Sequence, residues 1–146
     1  MTITAEVGVT ANSGSPTFVS SDACTATVGL EFQDTSAGTY DSNDYWWYQK
    51  RPSLESLTSG ETTLTAPLDD RANWINQSGK SALDKTENWV EWQGDVVHMS
   101  PYDGFTKAME NVKIVSLSFG GCGYARGVAV SSGTASFDLL SYSIAP

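Results

Sequence analysis

The sequence predicts a single all-β domain over residues 1–146, built as a two-sheet antiparallel β-sandwich with at most one short helix. Three observations carry this. Apolar residues recur with a period of two in segment after segment. Turn-forming clusters of Gly, Ser, Asn, Asp and Pro separate those segments. Helical spacing occurs only between Pro101 and Val112. Several short strands joined by turns make a sandwich or barrel rather than a parallel sheet.

Ile3, Ala5, Val7 and Val9 share one face of a first strand, and Ala11 to Pro16 reads as a turn. Cys24, Ala26, Val28, Leu30 and Phe32 then alternate with Thr25, Thr27, Gly29 and Glu31, so the second set is expected to face solvent. A polar loop from Asp34 to Asp44 leads into the aromatic strand Tyr45-Trp-Trp-Tyr48. Thr62, Leu64, Ala66 and Leu68 are in phase up to Asp69-Asp70, and the pattern dissolves between Arg71 and Asp84. Trp89 to Met99 reads as a strand broken at Gly94-Asp95. Phe105, Ala108, Met109 and Val112 lie at helical spacing, with Asp103 near the start.

The last third alternates most clearly. Val115, Leu117, Phe119, Val128, Val130, Phe137 and Leu139 are expected on one inner face of three consecutive antiparallel strands, with a turn at Ser132-Gly133. The apolar phase then switches from Leu139 to Leu140, Tyr142 and Ile144, which is what a β-bulge or a strand buried on both faces produces.

Composition bounds the function. With 40% hydrophobic and 17% charged residues the chain is neither disordered nor a coiled coil. Its net charge of −9 repels phosphate backbones and anionic membrane surfaces, and the densest basic run is only Lys50-Arg51. Nucleic acid is therefore excluded as a partner, and no apolar stretch approaches the roughly 18 residues of a membrane helix. Two cysteines, Cys24 and Cys122, allow one internal pairing, which would close a loop around most of the domain and imply an oxidising compartment. The alternative is two buried thiols. The first residues lack the basic start and apolar run of a secretory signal, so an added Met1 or export inside a virion is expected.

The run Val115-Ser-Leu-Ser-Phe-Gly-Gly-Cys-Gly-Tyr-Ala-Arg-Gly-Val-Ala-Val130, followed by Ser136-Phe-Asp-Leu-Leu-Ser-Tyr-Ser-Ile144, resembles the end of jelly-roll modules of the carbohydrate-binding type found in secreted bacterial proteins. Asn43-Asp-Tyr-Trp-Trp47 and the stretch from Leu54 to Leu68 are similar to the middle of such modules. The resemblance is one of glycines and apolar positions. It implies a jelly-roll-like sandwich and a sugar-binding role, without assigning binding residues.

Candidate binding residues come from the aromatics. The apolar C–H face of a sugar stacks on a π-system, while amides and carboxylates take its hydroxyls. Trp46 and Trp47 are neighbours on a strand and point to opposite faces, so one belongs to the core and the other to the surface or beneath a loop. Trp89 and Trp92 also oppose. Trp74 sits among Asn73, Asn76 and Gln77, a composition that suits a ligand rim. The expected platform is Tyr45, Trp47 and Trp74, with Asn43, Asp44 and Asn76 contacting hydroxyls. The competing reading makes all five tryptophans structural.

No catalytic residues are assigned. Glu87, Glu91, Asp95 and Asp103 are close in sequence, but nothing marks the opposed pair, roughly 5–10 Å apart, that a glycosidase needs. His98 and Cys122 could form a nucleophile pair, yet no elbow or papain-like context surrounds Cys122, and a disulfide accounts for it better. No metal site or cofactor is expected. Calcium is the one ion the sequence could accommodate, through Asp41, Asn43 and Asp44 or through Asp69 and Asp70, although the EF-hand spacing is absent. Asn76-Gln-Ser78 forms a glycosylation sequon. The partner is thus a glycan or a protein surface, and the setting extracellular or a virion surface. A non-catalytic sugar-binding module competes with a virion-surface attachment or decoration protein and with a small glycoside hydrolase.

Overall fold

A computed structural model describes residues 1–34, 42–92, 94–122 and 127–146. Its elements are β1 (Thr2–Ser20), β2 (Thr27–Gln33), β3 (Tyr45–Tyr48), α1 (Leu54–Leu57), β4 (Thr62–Pro67), a 3-10 turn at Arg71–Asn73, β5 (Trp74–Asn76), β6 (Asn88–Trp92), β7 (Asp95–Met99), α2 (Pro101–Glu110), β8 (Ile114–Gly120) and β9 (Val128–Ala145). A three-stranded sheet of order β4-β1-β9 packs on a four-stranded sheet of order β5-β3-β2-β8, and β6-β7 forms a separate hairpin. Every pairing is antiparallel. The chain is a β-sandwich, as its alternation predicts.

The core lies between the sheets. Ile3, Ala5, Val7 and Val9 of β1 and Leu64 and Ala66 of β4 belong to one buried cluster with Val28, Leu30 and Phe32 of β2 and Trp46 of β3. Helix α2 closes one end of it. Ser100 accepts a hydrogen bond from the Asp103 N–H (3.1 Å) and donates its hydroxyl to the Asp103 carboxylate (2.7 Å), while Pro101 occupies the first turn. The buried face of α2 delivers Phe105 edge-on to Trp46 (4.8 Å between centroids) and Phe32 (5.6 Å). Gly104 allows this approach, because a Cβ there would stand 2.7 Å from Asn43 Cγ.

Two expected turns are absent. β1 runs through residues 11–16 and β9 runs through Ser132-Gly133, and the two irregularities lie opposite each other. Ser13 pairs with Thr134 and Thr17 with Ser132 across shifts in register, with Gly14 and Gly133 at φ +65° and +68°. A Cβ on Gly133 would come within 2.7 Å of the Ser13 carbonyl. Turn-forming residues facing each other across a ladder make a shared kink rather than a reversal, because pairing satisfies the backbone on both sides.

The bulge in the last strand is present. Glu6 pairs with Ser141 and Val7 with Leu139, which leaves Leu140 as the extra residue. The inner face expected of the last strands needs correction. β8 borders one sheet and β9 the other, so they are not neighbours in a ladder. Val115, Leu117, Phe119, Val128 and Phe137 pack partly buried against the core, whereas Val130 and Leu139 are exposed. Phe119 meets Phe137 edge-on at 4.8 Å, joining the two sheets.

Cys24 and Cys122 form a disulfide across a sequence separation of 98. Asp22 organises the ends it joins by accepting from the backbone N–H of Cys122 (2.8 Å) and Cys24 (3.3 Å) and from the Ser20 hydroxyl (2.6 Å). The Ser20 bond, followed by these backbone bonds, holds its carboxyl below the usual aspartate range.

Candidate functional site

The outward face of the four-stranded sheet gathers the aromatic and polar residues that could receive a ligand. Gln33 stands opposite Tyr45, Glu31 opposite both Trp47 and Ser116, and Gly29 opposite Ser118, so these side chains share the face turned away from the core. A hollow of about 430 Å³ is lined by Glu31, Gln33, Tyr45, Trp47 and Ser118. Tyr45 and Trp47 are stacked there, with centroids 6.0 Å apart and planes 17° from parallel. Trp47 is only 4% exposed, and its indole N–H donates to Ser118 Oγ (3.1 Å). Tyr45 is half-buried and is the more exposed of the two rings.

Polar groups around the rings are already oriented. Glu31 accepts from the Ser116 hydroxyl and from Gln33 Nε2 (3.1 Å). Gln49 accepts from Arg51 Nη2 (3.4 Å), and burial pushes the Arg51 pKa down. Among the described residues that line the hollow, Glu31 is the acid.

The remaining expected ligand residues are not at this face. Trp74 opens β5 and is fully buried, 5.1 Å from Phe32 and 5.0 Å from Tyr48 between centroids, with its N–H on the Pro67 carbonyl (2.9 Å). The absence of periodicity around Trp74 reflects a three-residue strand, too short to display one. Asn43, Asp44 and Asn76 are buried as well. Asn76 donates to Asn43 Oδ1 (2.9 Å) and accepts from the N–H groups of Ser78 (3.0 Å) and Lys80 (2.9 Å). It therefore shapes its own loop, and the folded chain hides the sequon's acceptor. The Asn43 carbonyl takes the Trp46 indole N–H (2.7 Å), and that of Asp44 takes the Asp34 N–H (2.9 Å).

Sequence reasoning missed Glu31, Gln33 and Ser118 as neighbours of Tyr45 and Trp47. The phase of Glu31 placed it on a solvent-facing row, but only strand pairing decides which row lies beside which. It also passed over Trp89, which is 73% exposed on the β6–β7 hairpin, 5.0 Å from the His98 ring, while His98 pairs with Glu87 (3.0 Å). Trp92, three residues on, turns inward.

Of the expected calcium ligands, Asp41 lies outside the described residues. Asp70 is engaged by the Tyr48 hydroxyl (2.5 Å), Lys50 Nζ (2.9 Å) and Asn73 Nδ2 (2.9 and 3.0 Å), which lower its pKa to about 2. Among the described residues, the group of His, Cys, Asp or Glu close enough for a shared ion is Asp22, Cys24 and Cys122. Its two sulfurs are bonded to each other, so it offers no thiolates, and Cys122 is no nucleophile.

No protein-family model matches the chain, and neither a curated protein nor a solved structure does. No helix among the described residues is long and apolar enough to cross a membrane. The disulfide is consistent with an extracellular location.

Proposed function

We propose that this domain is a non-catalytic binding module for neutral carbohydrate, acting outside the cell or on a virion surface. The observation that carries the reading is the hollow on the four-stranded sheet. There a Tyr45 ring backed by Trp47 lies beside an acid, an amide and a hydroxyl at Glu31, Gln33 and Ser118. A sugar's C–H face would stack on Tyr45 while Glu31 and Gln33 receive its hydroxyls. The pattern of glycines and apolar positions near the carboxyl end, similar to that of jelly-roll carbohydrate-binding modules, supports the same reading. Trp47 serves as the support of this platform, since its own ring faces are covered.

One accessible ring gives a modest affinity, roughly micromolar to millimolar for a short oligosaccharide. Calorimetry against neutral polysaccharides should show such binding, with little salt dependence. Tyr45→Ala should weaken it about three- to tenfold, the equivalent of roughly 0.5–1.5 kcal/mol of stacking. Absence of binding to every glycan by the folded wild type would overturn the proposal.

A further inference from the structure

β9 is the last strand of its sheet, and no strand among the described residues pairs with its outer edge. Across its ladder with β1, Leu139 stands opposite Val7, Tyr142 opposite Ala5 and Ile144 opposite Ile3. Directly opposed residues share a face, and Val7, Ala5 and Ile3 are fully buried in the core. Leu139, Tyr142 and Ile144 are therefore on the core side of the sheet, yet they are 53%, 42% and 48% exposed. Across the gap, the opposite sheet ends at β8, whose Val115, Leu117 and Phe119 are only partly covered. Among the described residues the sandwich is thus open along one side, with the outer edge of β9 unpaired above an apolar mouth.

Natural edge strands are blunted by lysines, prolines, bulges or covering loops. Along Val128–Ala145, β9 has no lysine, arginine, glutamate or proline; its protections are Asp138 and the bulge at Leu140. Asp138 is also engaged, accepting from the Thr10 hydroxyl (2.6 Å).

We infer that β9 is a self-association edge, at which a second copy of this chain adds its own β9 antiparallel and joins the two three-stranded sheets into one. Charge identifies the occupant. A basic peptide would seek acids along the strand, and β9 offers one. Two copies, each at −9, repel overall, and a strand carrying a single acid is a place where that repulsion opposes contact least. A two-fold axis through the edge presents the same residues from both sides, as a closed dimer requires. Half-exposed Leu139, Leu140, Tyr142 and Ile144 from each copy, with the paired backbone, bring the buried area toward the lower end of the roughly 1,200–2,000 Å² of stable interfaces. The inference does not depend on sugar binding, because the hollow faces outward from the other sheet.

Sedimentation velocity and light scattering on the whole chain test it. The wild type should show the mass of two chains at high micromolar concentration, dissociate on dilution, and associate more tightly as salt screens the repulsion. Tyr142→Lys should give the mass of one chain with an unchanged circular dichroism spectrum. Independently of any variant, amide hydrogen exchange at residues 139–145 of the wild type should slow as concentration rises. A wild type that stays monomeric overturns the inference. So does a Tyr142→Lys protein that remains dimeric, or exchange at residues 139–145 that is indifferent to concentration.

Discussion

Breaking the Cys24–Cys122 bond perturbs this fold in a way whose magnitude can be worked out. The bond closes a loop across a separation of 98 residues. Loop-closure entropy assigns a loop of that size about 4.7 kcal/mol at 25 °C. A chain of 146 residues has an unfolding entropy near 0.3 kcal/mol per degree, from about 2.1 cal/mol/K per residue. Dividing the two gives a fall in Tm of about 15 °C as the upper value, since residual structure in the unfolded chain reduces the entropy recovered. The assay is differential scanning calorimetry of the native protein, of the reduced and alkylated protein, and of a Cys24→Ala/Cys122→Ala variant. Intact mass should place the native form about two daltons below the thiol form. A native protein of full thiol mass, or a double variant melting within about 3 °C of the wild type, would refute the reasoning. The second result would mean that the ribbon of β1 and β9 already holds those ends together through Asp22.

Three other expectations concern buried, half-buried and charged residues. Trp74→Ala should destabilise the domain by about 3–5 kcal/mol in urea denaturation, as truncation of a fully buried aromatic does. Tyr45→Ala should change stability by no more than about 1 kcal/mol, and equal losses would place Tyr45 in the core. Asp70 is held at a pKa of about 2, below its unfolded value, by Tyr48, Lys50 and Asn73. Its contribution to stability is present above the unfolded pKa and lost as pH falls through the folded one. Tm should therefore decline between about pH 4 and pH 2 more steeply in the wild type than in Asp70→Asn, and parallel curves would contradict the assignment.

The sequence by itself determined the class of the fold, the inward rows of β1, β2 and β4, helix α2, the phase switch at Leu139–Leu140 and the one pairing open to the two cysteines. These are local periodicities, or an arithmetic that leaves one choice. The structure chose the bulge over a doubly buried strand and the disulfide over two thiols. The sequence also determined that Tyr45 and Trp47 share a face, because residues two apart on a strand must. Tertiary structure alone decided what lay beside them. Glu31, Gln33 and Ser118 come from strands distant in sequence, and antiparallel register rather than composition brings them together. It also decided that Trp74, Asn43, Asp44 and Asn76 are buried, because short irregular segments show no period from which burial can be read. The two expected turns became a facing pair of kinks for a related reason. Gly14 and Gly133 permit reversal or bulging equally, and only a partner strand across the ladder selects between them. The open edge of β9 is likewise invisible to alternation, which ranks residues as inward or outward but cannot say whether the opposite sheet extends far enough to cover them.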